Sequence, residues 1–367
     1  MIEPSVTVLM TVYNGEGFLR QAVESVLKQT YTSFEFLIVD DASTDASLEI
    51  LNSYHDPRIR IVQNSVNQGQ AASLNIGLRA ATGTYIARID ADDIALAHWL
   101  ECQVQAARRN PECLVISSWA CIVNKEGVVK QLLEIPLTHE GMLLRSLTAS
   151  PINHGGSLLK RADILRYGGY DESFRALADY DLWTRLLQVG ARFSSGKKIL
   201  MAVRVHGGSI SKAEKDRAVA ETKRVFFRHI LFLTGIDLTD RQLSMLWELC
   251  YRADEAPLKD MEEAIVLLRG VYEGLKLPGL SRAVIMDHWR QRANVFYIKK
   301  IFACLSRCDR SGVREVCRQS ECYCGPSIVM RLLDWGSFLG FAGMIIPSFF
   351  IFVRRQWAVI VLRNCYF

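Results

Sequence analysis

The sequence lacks several features that fix a protein's class at sight. Its start, Met1-Ile2-Glu3-Pro4-Ser5, has neither a basic n-region nor a long apolar h-region. No signal peptide is therefore expected, and the protein is expected to stay in the cytosol. Charge of one sign is scarce, with 44 Lys and Arg against 39 Asp and Glu. No RNA- or DNA-binding motif is present, so no nucleic-acid partner is expected. Paired C-x-x-C knuckles are also missing. Among the 10 cysteines, Cys304, Cys308, Cys317, Cys322 and Cys324 cluster without clean zinc-ligand spacing, and a cytosolic chain is expected to keep them as free thiols. Hydrophobic residues make up 50% and charged residues 23%, which excludes a disordered, collagenous or disulfide-stapled chain.

What is present is enough chain for two units, since 367 residues exceed the roughly 100–200 of one domain. Residues 1–211 hold 20 Lys and Arg against 22 Asp and Glu, and residues 212–367 hold 24 against 17. The front is thus −2 and the rear +7. A basic rear beside apolar stretches points to an anionic partner, and a membrane surface fits.

Val6–Val12 is β-rich and almost unbroken in apolarity, the pattern of a strand buried on both faces of a parallel sheet. Phe18, Leu19, Ala22, Val23, Val26 and Leu27 repeat at helical spacing. Phe36–Val39 is a second strand, followed by Asp40-Asp41 and by Ser43-Thr44-Asp45, whose side chains offer N-cap chemistry for a helix through Leu51. The rhythm continues with a strand at Ile59–Val62, a helix over 70–81, a strand at Thr84–Ile89 and a helix after Asp90-Ala91-Asp92-Asp93. This is a doubly wound α/β pattern, in which ligands bind at the carboxyl ends of the strands. Leu114–Val123 reads as a further strand with a turn at 124–127, and the segment 151–211 extends the sheet and closes the site.

From about Lys212 the sequence turns to amphipathic helical patterns, at Val219–Leu233, Leu243–Ala253 and Met261–Leu275, which predicts a boundary near 211. A helical region over 212–334 and an apolar segment over 335–367 follow. Trp335–Val353 is a 19-residue run without charge, bounded by Asp334 and Arg354-Arg355, close to the length that spans a bilayer. Pro347, the glycines and the positive-inside rule favour in-plane or re-entrant insertion over a single span. A buried helical core is the competing reading.

Three carboxylates at Asp90, Asp92 and Asp93 repel one another unless a cation or donor groups neutralise them. Hard oxygen ligands select Mg²⁺ or Mn²⁺, which commonly bind through one or two carboxylates plus substrate phosphates. A solvated loop with helix-capping aspartates is the plainer alternative.

The cluster is not isolated. Val8-Leu9-Met10-Thr11-Val12-Tyr13-Asn14, Ile38-Val39-Asp40-Asp41-Ala42-Ser43-Thr44-Asp45, Asn67-Gln68-Gly69 and Ala87-Arg88-Ile89-Asp90-Ala91-Asp92-Asp93 are followed by His154-Gly155 and by Gly168-Gly169-Tyr170-Asp171. Asp179-Tyr180-Asp181-Leu182-Trp183 and Arg204-Val205-His206, with Ser209 and Ser211, complete the series. In this order, over residues 5–211, the sequence resembles the family 2 glycosyltransferases of the GT-A fold.

The resemblance implies a GT-A Rossmann-like sheet domain over 1–211 that transfers a sugar from a nucleoside diphosphate, with inversion and with Mn²⁺ or Mg²⁺. Thr11, Tyr13, Asn14, Asp40, Asp41, Arg88, Asp90 and Ala91 would bind the donor, and a carboxylate accepting an imide N–H suits uracil. Strand packing for Tyr13 and helix capping for Asp40-Asp41 are the plainer readings. Asp92 and His206 would hold the metal, His206 being otherwise a structural histidine beside the Gly207-Gly208 turn. Asp179 matches the expected general base, although Ala178 stands where an acidic partner is usual, which leaves Asp181 as a second candidate or a brace. His154, Gly155 and Trp183 would line or support the acceptor site, and a core tryptophan is the other reading of Trp183. Arg88 and Arg204 contact phosphate or pair with the neighbouring aspartates.

The expected reaction is transfer to a hydroxyl acceptor, a saccharide or lipid-linked saccharide of cell-surface polysaccharide assembly, at the cytoplasmic face of a membrane. Nucleotidyl transfer lacks its Lys/Arg-rich phosphate loop here. A non-catalytic sugar-nucleotide sensor or membrane scaffold, motivated by Ala178, remains the alternative.

Overall fold

The computed structural model describes residues 5–206, 215–252, 258–275 and 280–306, together with Gly312, Glu315, Val316 and Gln319. The elements run β1 (Val6–Val12), α1 (Glu16–Leu27), β2 (Phe34–Asp40), α2 (Ser47–Asn52), β3 (Ile59–Gln63), α3 (Gln70–Ala80), β4 (Tyr85–Asp90), β5 (Ile94–Ala95), α4 (Trp99–Arg109), β6 (Cys113–Val123) and β7 (Val129–Leu133). They continue with α5 (His139–Arg145), β8 (Leu158–Lys160), α6 (Arg161–Arg166), α7 (Ala178–Gln188), β9 (Arg192–Arg204), α8 (Lys215–Thr234), α9 (Asp240–Arg252), α10 (Leu258–Gly274) and α11 (Arg282–Ser306).

The strands form one sheet in the order β3-β2-β1-β4-β8-β6-β9-β5, with β7 paired to β6. The half β3-β2-β1-β4 is parallel, and β8 then runs antiparallel between β4 and β6. The chain leaves β1 toward β2 and β3 and returns to β4 on β1's other side. That reversal creates a topological switch point at the carboxyl ends of β1 and β4.

Side-chain alternation explains why these strands read as continuous apolar runs. Val8, Met10, Phe36 and Ile38 enter one core with Leu19 and Val23 of α1 and Trp99 and Val104 of α4. Leu9, Leu37 and Val39 enter the opposite core with Leu74 and Leu78 of α3 and Trp183 and Leu186 of α7. A period of two with both faces covered leaves few polar positions, and the buried Thr7 in β1 donates to Glu35 of β2. Each fully buried side chain of this kind contributes about 1.5–3 kcal/mol. Gly77 lets α3 lie directly on β1, since a Cβ there would overlap the Leu9 side chain.

The N-cap chemistry expected of Ser43-Thr44-Asp45 is redirected. The N-cap of α2 is Ala46, with no side-chain cap bond. Asp45 accepts instead from the N–H groups of Ser47 (2.9 Å) and Glu16 (3.0 Å), tying the start of α2 to the start of α1.

The chain divides into two compact units, Met1–His229 and Ile230–Phe367. In the second, α9 to α11 bury Leu246, Ile265, Leu268 and Phe296, and the Tyr272 hydroxyl meets His288 Nδ1 at 3.1 Å. Among the described residues no helix is long and apolar enough to cross a membrane. The apolar segment 335–353, the run 357–362, the 207–211 turn and the rest of the cysteine cluster beyond the α11 backbone lie outside the described residues.

Candidate active site

In-register pairing of the parallel strands brings the first group of residues together. Thr11 pairs with Val39 on one side and Asp90 on the other, and Val12 pairs with Asp40. The three strands therefore present Thr11, Asp40 and Asp90 at one edge. Tyr13, just past β1, is 50% exposed, so it is not strand packing. Beside it, Asn14 (φ 51°) and Ala42 (φ 60°) both occupy the left-handed region. For alanine this costs about 1–2 kcal/mol, and such strain collects at functional sites.

Much of this edge is braced by its own loops. Asn14 Oδ1 accepts the Thr44 N–H at 2.8 Å, and the Asn14 N–H reaches Ser43 Oγ at 3.0 Å. Asp41 is buried, and its carboxylate accepts from Asn64 Nδ2 (2.7 Å), Gln68 N (2.9 Å) and Gly69 N (2.8 Å). Three donors on one carboxylate fix the 67–69 loop beside the site. Both oxygens of the fully buried Asp40 lie 3.4 Å from Ser43 N, long for a hydrogen bond.

The acidic turn after β4 is neutralised unevenly. Arg88, only 1% exposed, is spent on both oxygens of Asp90. This is the second of its two readings, pairing with a neighbouring aspartate. Gln70 Nε2 adds a bond to Asp90 Oδ1 at 3.1 Å. Ala91 lies half-buried in the turn. Asp92 Oδ2 sits 2.9 Å from His206 Nε2, and its carboxyl is pushed up by burial and by Asp90, with His206 opposing. Asp93 is buried more deeply. Burial, then Asp90 and Asp92, raise it well above the carboxylate range, against the Arg204 N–H and Arg88. Its Oδ1 accepts that N–H at 2.8 Å, and its Oδ2 has no protein partner.

Arg204 also donates to the Asp92 backbone oxygen (2.9 Å), Lys125 O (2.8 Å) and Gln21 Oε1 (2.9 Å). Its guanidinium lies 4.5 Å over the Phe18 ring. It clamps the acidic turn through the backbone and makes no ion pair with the aspartates. Among the described residues no three His, Cys, Asp or Glu side chains form a ready-made metal cage. Two protein donors at Asp92 and His206, beside partly exposed carboxylates, fit a divalent ion that takes its remaining ligands from a diphosphate.

The other wall comes from the second half of the sheet. A Cβ on Gly155 would stand 2.8 Å from Asp93 Oδ2, so only glycine lets this loop lie on the acidic turn. His154 Nε2 meets the Tyr170 hydroxyl at 2.8 Å. Burial and the nearby Arg88 hold the imidazole well below its usual range, hence neutral. Trp183 is fully buried, edge-on to His154 at 5.8 Å and to Phe193 at 6.0 Å. It backs His154 and cannot touch an acceptor, which corrects one of its two readings.

Asp179 lies in the first turn of α7. Burial raises its carboxyl to about 6, with Asp90 adding to the shift and the Tyr180 N–H and Arg88 opposing. Asp181, two residues on, is fully buried and held by Arg185 Nε and Arg228 Nη2, both at 2.7 Å. A carboxylate saturated by two guanidiniums braces α7 and is not placed to accept a substrate proton. Gln70, Asn64, Tyr170, Glu221 and Arg228 join these contacts without a role legible in the sequence. Tyr170 stood inside a recognised motif, whereas the α8 residues carry no local signal.

A family model described as glycosyl transferase family 2 matches residues 7–168. An uncharacterized glycosyltransferase of Haemophilus influenzae is 31% identical over 64% of this chain and 77% of its own. An Escherichia coli UDP-Glc:alpha-D-GlcNAc-diphosphoundecaprenol beta-1,3-glucosyltransferase is 30% identical over 56% and 79%. Among solved structures, S. aureus TarS 1-349 in complex with UDP-GlcNAc superposes with a TM-score of 0.54 at 18% identity, covering 87% of this chain and 91% of that 1-349 chain. A Pyrobaculum calidifontis mannosyltransferase in complex with GDP-Man and Mn²⁺ gives 0.52 at 18%, covering 87% and 88%. These likenesses show a shared GT-A fold. With the ordered strand-end motifs and the sequence relatives, they establish that this chain belongs to glycosyl transferase family 2 and is a glycosyltransferase.

Proposed function

We propose that the chain carries out metal-dependent, inverting transfer of a hexosyl group from a nucleoside-diphosphate sugar, UDP-sugar being favoured, to a hydroxyl of a saccharide or lipid-linked saccharide. The observation that carries this reading is Asp179. It is a carboxyl in the first turn of α7, raised to about 6 by burial and close enough to Arg88 and Asp90 to feel both charges.

In this reading Thr11, Tyr13 and Asp40 receive base and ribose, with Asp41 and Asn14 holding the loops around them. Asp90, oriented by Arg88 and Gln70, faces the ribose or a metal-bound water. Asp92 and His206 would hold Mn²⁺ or Mg²⁺, which would offset charge growing on the leaving diphosphate. Asp179 takes the proton of the acceptor hydroxyl as that oxygen attacks C1. The C1–O bond to the diphosphate breaks, and its electron pair leaves with the nucleotide. Desolvation that lifts Asp179 toward neutrality makes it a stronger base than an ordinary aspartate while it stays ionised at pH 7. His154, neutral and fixed by Tyr170, presents a polar wall without competing for the metal's counter-charge.

A relative named for UDP-Glc and a diphosphoundecaprenol-linked acceptor supports UDP as nucleotide. With the basic, apolar rear, it also supports a lipid-linked acceptor at the cytoplasmic face of a membrane. The division after His229 would then separate chemistry from membrane docking. The test is binding of a UDP-, dTDP- and GDP-sugar panel with Mn²⁺, with Mg²⁺ and with EDTA. One donor binding only with metal, and losing binding in Asp92→Ala, supports the reading. No nucleotide sugar binding with either metal overturns it, and favours a sensor or scaffold for another ligand.

A further inference from the structure

The helix that carries Asp179 has Leu177 at its N-cap, with no side-chain cap bond. The loop that leads into it, 175–177, is held from α8. Glu221, only 7% exposed, accepts the N–H of Arg175 through Oε1 at 2.9 Å, and those of Ala176 (2.9 Å) and Leu177 (3.0 Å) through Oε2. Three successive N–H groups converging on one carboxylate form an anion-binding nest.

The same face of α8 holds the segment at two more points. Three residues on, Arg224 donates to Ser173 Oγ at 2.8 Å and lies 3.6 Å over the Phe174 ring. Seven residues on, Arg228 donates to Asp181 Oδ1 at 2.7 Å. Positions 221, 224 and 228 line one stripe of a helix. This stripe grips the backbone before Asp179 and the side chain after it. Where the resemblance leads to an acidic residue beside the base, this chain has Ala178.

We infer that Glu221 is a positioning residue for Asp179, setting the base's place through the 175–177 backbone and supplying from α8 the carboxylate that position 178 lacks. The inference rests on reading Asp179 as the base. Glu221 touches neither substrate nor reacting atoms in it. Its effect is geometric, because a displacement of about 1 Å in a reacting group costs on the order of 100-fold in rate.

The test uses the full chain with Mn²⁺, UDP-glucose as probe and transfer to water as the readout. The variants are Glu221→Ala, Glu221→Gln, Asp179→Asn and the Glu221→Ala, Asp179→Asn double. Positioning predicts that Glu221→Ala keeps the KM for UDP-glucose within about twofold while kcat falls roughly 10–100-fold. Glu221→Gln, which keeps one acceptor oxygen, recovers part of that loss. In the Asp179→Asn background, Glu221→Ala has no further effect on kcat. Unchanged kcat in Glu221→Ala, or KM and kcat worsening together, overturns the inference. If Asp179→Asn turns over like wild type, the base reading falls and takes the inference with it. If Asp179→Asn is dead and Glu221→Ala is unimpaired, only the inference falls. Should Glu221→Ala not fold, or UDP-glucose not serve as donor, amide exchange in Glu221→Gln decides. Faster exchange confined to 175–181 supports the inference, and unchanged exchange there overturns it.

Discussion

Thr11, Asp40 and Asp90 stand on adjacent strands in register, whereas Asp179 stands on a helix whose preceding loop is held by Glu221, 46 residues from Arg175. The first group is positioned by backbone pairing inside one parallel sheet, so its geometry follows from the strands themselves. The base is positioned by side chains of a distant helix. The proposed donor residues are thus built into the sheet, while the placement of the proposed base depends on packing that can vary without disturbing the strand ends.

The contrast can be broken most severely at Asp181. Replacing it with Ala leaves Arg185 and Arg228, whose side chains are 25% and 39% exposed, without their shared buried carboxylate. A loss of about 1–3 kcal/mol in urea unfolding is expected. A loss below about 0.5 kcal/mol would mean that both guanidiniums turn to solvent at no cost and that the brace is weak.

Gly155→Ala acts where the two halves meet. Its Cβ would press on Asp93 Oδ2 at 2.8 Å, and about 1–3 kcal/mol of stability is expected to go, together with part of the metal-dependent nucleotide binding. Calorimetric titration with UDP and Mn²⁺ reads the second effect. Unaltered binding would detach the 154–156 loop from the donor site.

His206→Ala removes one of two protein donors and is expected to weaken Mn²⁺-supported UDP binding by about 10-fold, without touching thermal stability in EDTA. Equal UDP affinity with and without His206 would leave it a structural histidine.

The smallest effect sharpens the electrostatic side. Asp179 has a folded pKa of about 6 against the ordinary 3.8, so the unfolded chain gives up its proton first. The native state is penalised as pH rises through that window, and the penalty is complete above about 6. Asp179→Asn is therefore expected to melt higher than wild type at pH 7–8, with the difference fading below pH 4. Parallel melting curves across that range would remove the desolvation argument.

The half of the molecule that was legible in the sequence is the half whose contacts are local or strand-paired. Largely apolar runs placed β1, β2 and β4, and acidic residues at their ends marked the edge where the three strands converge. Asp41 was visible as a motif, but its use in pinning the 67–69 loop was not, because that requires knowing that Asn64 and Gly69 return to it. Arg88 and Trp183 were ambiguous for the same reason. Whether an arginine reaches a phosphate or an aspartate, or a tryptophan lines a pocket or fills a core, depends on neighbours far away in sequence. Glu221 carried no signal at all, since a glutamate on an amphipathic helix reads as solvated surface.

The measurement that bears most directly on the account is turnover of Asp179→Asn set beside its nucleotide binding. With Asp179 as the base, UDP binding with Mn²⁺ stays equal to wild type and kcat falls by about 10²–10⁴-fold. Wild-type turnover with equal binding would contradict this, and would move the search for the base to a carboxylate of the acidic turn after β4.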